Sequence, residues 1–378
     1  MRAALLARRI AVAALALSVC RTVPAATLNV CPSGCPYSSI QAAVGAAASG
    51  DVIQIAAGRY VGNVTIEGKA LTLVGASGGT PATEVVGIGG GPVFTLGEGS
   101  GSTSFLIEIH FLTITQGDHE NGTGVGGGVQ VRSGAYLHIF DSILQHNVAR
   151  FGGGLGVNTP GGPASVVTHC LISDNAALVD NPAAPDGLGG GIELSQGSTL
   201  TVSQSTIARN QALDGGGVFA SASTQLSLNQ SDVTANQISQ VHFNGAFIGG
   251  FGGGINAQAG LSVSNSVIAG NIASGGEGGS GGGLFVLLGE QAQLSNTTIT
   301  HNLANGGTSN AVGNGGGIFT AAANNRAVLV LQGVYVVQNA AGQNGAGGIW
   351  NEGTLEITGG RIEDNSGLNC TGGFGCPP

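Results

Sequence analysis

Two short motifs alternate down most of this chain and leave it little choice of architecture. The first is a run of three glycines followed by an aliphatic residue. It occurs at Gly126-Gly127-Gly128-Val129, Gly152 to Leu155, Gly189 to Ile192, Gly215 to Val218, Gly252 to Ile255, Gly281 to Leu284 and Gly315 to Ile318, with a weaker copy at Ala346-Gly347-Gly348-Ile349. The second is an aliphatic residue three places before an asparagine: Leu144/Asn147, Ile172/Asn175, Ile207/Asn210, Val233/Asn236, Ile268/Asn271, Ile299/Asn302, Val336/Asn339 and Ile362/Asn365. Strict alternation of this kind exceeds chance even in a chain with 71 glycines among 378 residues. The asparagines are never closer than the 26 residues from Asn210 to Asn236 and reach 37 from Asn302 to Asn339; the surplus falls between the asparagine and the next glycine run. A fixed minimum with insertions in one place is how a solenoid grows.

Within a unit the apolar period is two, as in Leu200 and Val202 or Leu261 and Val263. That period means strands, and short strands separated by bends cannot bury a face alone. Coiling them stacks each strand on its equivalent about 4.8 Å away. Glycine permits the bend, and asparagine suits a tight corner where its amide can bond the backbone and the asparagine of the next coil. The expected fold is therefore all-β, a single-stranded parallel β-helix with a short N-terminal capping helix.

Stacking turns the sequence into columns. The position three before each asparagine is always aliphatic and should face the core. Five before stand Ser142, Cys170, Ser205, Ser231, Ser266, Thr297, Val334 and Gly360, small residues suited to an inward corner. Six before, the first six coils carry Asp141, His169, Gln204, Gln230, Asn265 and Asn296, a polar ladder expected to face out. The second residue after each triplet should also point outward: Gln130, Gly156, Glu193, Phe219, Asn256, Phe285, Phe319 and Trp350.

The ends differ from the middle. Residues 1–26 read as a signal peptide, with Arg2, Arg8 and Arg9 before a short apolar run from Ile10 to Val19 and small residues at Val23-Pro24-Ala25; cleavage is expected near Ala25 or Ala26. The run is shorter than the about 20 residues a membrane span requires. Leu17-Ser18-Val19-Cys20 imitates a lipoprotein box, although Val19 stands where a small residue is wanted. Residues 27–378 form one β-helix domain: a cap and first strands at 36–75, the eight coils at 126–365, and a tail at 366–378. In the cap, Ser38 is placed to start a helix carrying Ile40, Ala43, Val44 and Ala47, which would shield the first sheet edge. Cys31 with Cys35 and Cys370 with Cys376 can each close a small loop in an oxidising compartment, while Cys170 sits inside a repeat as a small buried filler.

Loss of the leader removes four of 11 basic residues and leaves seven against 20 acidic ones, a net of −13. Such a surface repels nucleic acid and anionic lipid. Charged residues are only 8% of the chain, which suits stacked positions where like charges would repel and neutral polar groups can form ladders.

The run Ser39-Ile40-Gln41-Ala42-Ala43-Val44, Gly50-Asp51-Val52-Ile53, Gly58-Arg59-Tyr60, Asn63-Val64 and Leu71-Thr72-Leu73-Val74-Gly75 resembles the entry segment of pectin-lyase-like β-helices, pectin methylesterases among them. The alternation of Gly-Gly-Gly-Ile with Ile-x-x-Asn is similar to bacterial right-handed β-helix repeat proteins and to the passenger region of chlamydial polymorphic outer-membrane proteins. The resemblance implies a right-handed coil on a secreted or surface protein, some relatives cleaving or de-esterifying polysaccharide and others adhering. Unlike the surface-displayed members, nothing after Asn365 reads as a membrane barrel or anchor.

Two function classes stay open. In an enzyme, Asp141 and His169 would stack one strand spacing apart with Arg150 and Asp174 on neighbouring coils, a carboxylate beside an imidazole being able to trade a proton; the same residues also read as members of a polar ladder. No catalytic motif of the pectin methylesterases can be matched, and neither Asp118-His119-Glu120 nor Glu363-Asp364 supplies the run of oxygens that calcium prefers. In a binding module, Phe285, Phe319 and Trp350 would line up on three consecutive coils, an aromatic strip for sugar rings or a protein partner unless long loops fold over it. A polysaccharide or cell-surface ligand is the expected partner, with no metal, cofactor or membrane span. Location after cleavage is expected to be extracellular or periplasmic.

Overall fold

The computed structural model describes residues 24–78, 82–98, 104–120, 124–177, 187–195, 197–238, 241–243, 246–248, 250–258, 260–275, 279–288, 291–306, 313–322, 328–343 and 345–377. The basic and apolar parts of the leader, with Cys20, lie outside them. The chain coils as a right-handed parallel β-helix. In the coil beginning at Gly126, a first strand (Val129–Arg132) is followed by a second (Ala135–Phe140), a third (Ile143–Gln145) and, past the asparagine, a two-residue strand (Val148–Ala149). First, second and third strands of successive coils pair in parallel within one continuous 31-stranded sheet, and the short ones form a separate eight-stranded ladder. Of the inserted segments, Val241–Phe243 and Ala246–Ile248 form an antiparallel hairpin.

The column three before the asparagines runs in register from Leu144 through Ile172, Ile207, Val233, Ile268, Ile299 and Val336 to Ile362. All are buried in the core except Ile362, which is partly covered at the last coil. Corners between strands bend through the left-handed region. The position six before each asparagine has φ of 47–53° at Asp141, His169, Gln204, Gln230, Asn265 and Asn296, and the position just before it has 54–57° at His146, Asp174, Arg209, Ala235, His301, Gln338 and Asp364. Asn, Asp and His tolerate that region best, which accounts for part of the polar bias at both corners.

The asparagines themselves form a buried ladder. The Asn236 amide nitrogen donates to the Asn271 side-chain oxygen (3.0 Å) and to the Ile207 carbonyl (2.9 Å), while its own oxygen accepts from the Asn210 backbone (2.9 Å) and side chain (3.0 Å). The same exchange repeats from Asn147 to Asn339 and on to Asn365. Below it, a shorter hydroxyl ladder runs through the inward corner, where the backbone amides of Cys170, Ser205 and Ser231 donate to Ser205, Ser231 and Ser266. Cys170 is a buried free thiol in this column, pushed up to about 12 by its burial.

The glycine triplets and the asparagines are one device. A Cβ on the third glycine of the fourth coil, Gly217, would stand 2.7 Å from the Gly254 carbonyl and 2.9 Å from the Asn236 amide nitrogen. In every coil the third glycine faces its own coil's asparagine in this way. Only a bare backbone leaves room for the amide.

At the N-terminal end, helix α1 (Ile40–Ala46) covers the first coil with Ile40, Ala43 and Val44 buried. Its cap is Ser39, not Ser38: the Ser39 hydroxyl accepts from the Ala42 amide (3.1 Å), because the helix begins one residue later than the apolar pattern suggests. Lys69 secures the other end, its ammonium donating to the Val44 and Ala47 carbonyls at 2.9 and 2.8 Å. Cys31–Cys35 and Cys370–Cys376 are bonded in the structure. Among the described residues no helix is long and apolar enough to cross a membrane.

Replacing Asn236 by alanine strands several buried groups on both neighbouring coils at about 1–3 kcal/mol each. Denaturant melting should show a loss of at least about 3 kcal/mol for Asn236→Ala, and a clearly smaller loss for Asn365→Ala at the partly exposed end of the ladder. Gly217→Ala should destabilise comparably to Asn236→Ala. Equal, small effects at all three positions would show that the ladder does not hold the coils together.

Candidate functional site

The four charged candidates do not converge. Asp141 and His169 sit at the outer corner of adjacent coils with 3.8 Å between carboxylate oxygen and Nδ1, beyond hydrogen-bond length, and both are exposed. Their column continues as a neutral ladder, in which the Asn296 amide reaches Asn265 at 3.4 Å. Asp174 stands at the next corner, where Arg209 of the following coil holds it with two bonds of 2.9 and 2.8 Å; that guanidinium keeps the Asp174 carboxyl below its ordinary range. Arg150 lies past the asparagine, over the Phe151 ring at 5.4 Å. Three different corners of the coil separate these groups.

The outward column after the triplets behaves differently from expectation. Its register holds, with Phe219 beside Asn256, Asn256 beside Phe285, Phe285 beside Phe319 and Phe319 beside Trp350. Yet Phe219, Phe285 and Phe319 are only 5%, 6% and 8% exposed although they lie outside the main core. Part of the cover comes from residues that precede a triplet. These residues form their own bridged rows, Val125–Phe151–Leu188–Asp214 and Phe251–Ser280–Asn314, lying over the outer face. The Phe251 ring packs on Phe285 at 4.8 Å, and Val125 occupies the space a side chain at Gly156 would need. Phe285, Phe319 and Trp350 stack nearly parallel, 7° and 1° between planes, with centroids 5.4 and 6.5 Å apart. Their faces are therefore turned to one another and not to solvent. The row is a satellite core, half-open only at Trp350, and not the exposed strip the spacing suggests.

Where the covering row begins, the face opens. Before Val125 the equivalent turn is Gly90-Gly91-Pro92, which brings no bulky side chain over the sheet, and a cleft of about 490 Å³ results. Thr95, Gln130, Arg132, Ser133, Asn158, His119 and Val125 line it with that turn. Thr95 and Gln130 are register neighbours in the outward column, and Arg132 pairs with Asn158 two residues on. The His119 Nδ1 lies 2.9 Å from the Val125 carbonyl. A carbonyl only accepts, so Nδ1 carries the proton and a neutral ring keeps a lone pair on Nε2. Arg132 donates to the Glu98 carbonyl at 3.3 Å. No carboxylate lines the cleft among the described residues, and no group of three or more metal-ligating side chains assembles among them. Sequence reasoning placed Gln130 in the outward column and weighed His119 only as a metal ligand. It missed Arg132 and Asn158, whose sole signal is the fourth position after their triplets. A larger hollow of about 710 Å³ near Gly342 and Gly367 is walled mainly by small residues.

Farther along the face, Glu193 is enclosed with no hydrogen-bond partner for Oε2, and burial pushes its carboxyl up to about 8, the Ser195 hydroxyl offsetting only part. Burial pushes the Asp214 carboxyl up to about 7, the amides of Phe251 and Gly250 offsetting only part.

A family model described as a right-handed β-helix region matches residues 101–271. Among solved structures, the chain is similar to an alginate lyase from Paenibacillus sp. str. FPU-7 at 13% identity and TM-score 0.49, over 88% of this chain and 98% of that one. It is also similar to the pectin methylesterase from Aspergillus niger at 12% identity and TM-score 0.42, over 94% and 93%, and to pectate lyase Pel9A at 12% and 0.31, over 89% and 78%. No curated protein matches the sequence. At these identities the likeness concerns the fold alone.

Glu193 generates a test. Its folded value lies above the ordinary carboxylate value of 4.5, so between about pH 4.5 and 8 the folded state holds a proton that the unfolded state lacks. Stability from this group is full below about 4.5 and is lost as pH rises through about 8. Glu193→Gln should melt like the wild type near pH 4.5 and at a higher temperature near pH 8.5. Parallel melting curves across that range would show that the carboxyl is solvated.

Proposed function

We propose that this right-handed parallel β-helix is a secreted glycan-binding protein whose site is the cleft at Gln130, Arg132 and Asn158. The observation that carries the reading is the composition of that cleft. Amides, hydroxyls and a single guanidinium converge on about 490 Å³ of space, matched to the hydroxyl groups of a neutral sugar chain. Among the described residues no pair of carboxylates lines the cleft for hydrolysis. Secretion is supported by the leader, by two terminal disulfides in the structure and by a surface with few cations.

A second reading has one observation behind it. The tautomer imposed on His119 leaves a basic nitrogen in the cleft that also holds Arg132. Removal of a proton next to a sugar carboxylate needs such a base and a cation to hold the carboxylate. A uronate-containing polymer would then be cleaved by elimination.

One set of proteins separates the two. In a glycan array followed by calorimetry, Gln130→Ala and Asn158→Ala should each weaken binding about tenfold, the equivalent of 1.4 kcal/mol, while Trp350→Ala leaves it unchanged. Appearance of an unsaturated, ultraviolet-absorbing product that vanishes in His119→Ala would establish the lyase. Binding that ignores the cleft variants but is lost in Trp350→Ala would move the site to the aromatic row.

A further inference from the structure

In the first coil a carboxylate holds the backbone at Ala26. Asp51 closes the turn after helix α1 and is 8% exposed. Its Oδ2 accepts from the Ala48 amide at 2.8 Å and its Oδ1 accepts from the backbone nitrogen of Ala26, also at 2.8 Å. The Ala26 carbonyl in turn accepts from Val52 (2.8 Å), the bond that begins the pairing of Thr27–Val30 with Val52–Ile55. Both backbone groups of Ala26 are thus used by the fold, although Ala26 is exposed like Pro24 and Ala25 before it. The Asp51 carboxylate thus meets two neutral amides, and an ammonium at the Ala26 position would set a full opposite charge 2.8 Å from Oδ1.

We infer that the leader is cut between Ala25 and Ala26 and that the new α-ammonium of Ala26 docks on the Asp51 carboxylate, completing the first coil. The inference rests on the secretion reading above. Water adds across the Ala25–Ala26 peptide bond under a leader peptidase; Ala25 departs as a carboxylate, and the proton it sheds ends on the Ala26 nitrogen. Ala25 at the first position before the cut is the small residue such a peptidase takes, and Val23 at the third is a short, uncharged one. A cut one residue later fails on both counts. It places Pro24 at the third position, and it deletes the donor to Asp51 together with the acceptor for Val52, leaving a mostly buried carboxylate short of a partner.

The experiment is to express the full chain in a bacterial host, recover it from the periplasm or medium, and sequence its N-terminus. Ala26 as the first residue is the expected result. Exported protein beginning at Thr27 or elsewhere overturns the inference and leaves secretion standing, whereas protein retained in the cytoplasm with residues 1–25 attached overturns both. Docking is read separately by melting. Protein prepared to start at Ala26 should melt on the order of 2 °C higher than protein started at Pro24, and Asp51→Asn should abolish the difference. Equal melting of the two wild-type lengths rejects the ion pair, and needs no variant that might fold poorly.

Discussion

Everything in this fold hangs on one steric bargain, the asparagine amide lying against a glycine with no side chain. The amide ties three coils together because its nitrogen reaches both back to a carbonyl and forward to the next amide. That reach exists only where the facing strand begins with bare backbone. Neither motif has a purpose without the other, which is why they alternate so strictly. The aliphatic residue three places earlier then has its direction set, since one short strand and one corner connect it to the amide. Core, corner and ladder follow from a single contact repeated along the axis.

Stacking also dictates what the surface can carry. Any side chain on the outside has a counterpart at sheet spacing on the coils before and after it, so a repeated charge would face itself. The chain answers with neutral ladders and with alternation of sign, as where Arg209 follows Asp174 or Glu84 follows Arg59. Functional polarity therefore gathers where the repeat is imperfect. The cleft lies at the transition from the irregular first coils to the regular ones, where Gly90-Gly91-Pro92 stands in place of a bulky covering residue.

Most of the architecture was legible in the sequence because it is periodic. Column reading placed Leu144 beside Ile172 and Asp141 beside His169, and the register agrees. It erred where a second layer intervenes. Alternation says that Phe285 points away from the core; it cannot say that Phe251, thirty-four residues earlier and just before a triplet, will fold over it. The cleft was illegible for a related reason. Thr95, His119, Gln130 and Asn158 come from coils whose early members lack the repeat, and nothing in their spacing predicts that they meet. The cap shifted by a single residue, to Ser39, because an apolar pattern locates a helix face more sharply than its first turn.

The row of amides has a direction, each nitrogen pointing toward the C-terminal end. Among the described residues Asn365 meets no further asparagine of the repeat there: its backbone and side-chain nitrogens both turn to Asn369, only four residues on, at 3.1 Å. The tail thus acts as a stopper that consumes the growing end's last free donors. A further asparagine could join the ladder at this end only by displacing Asn369 from both nitrogens, so the row is satisfied within its own chain.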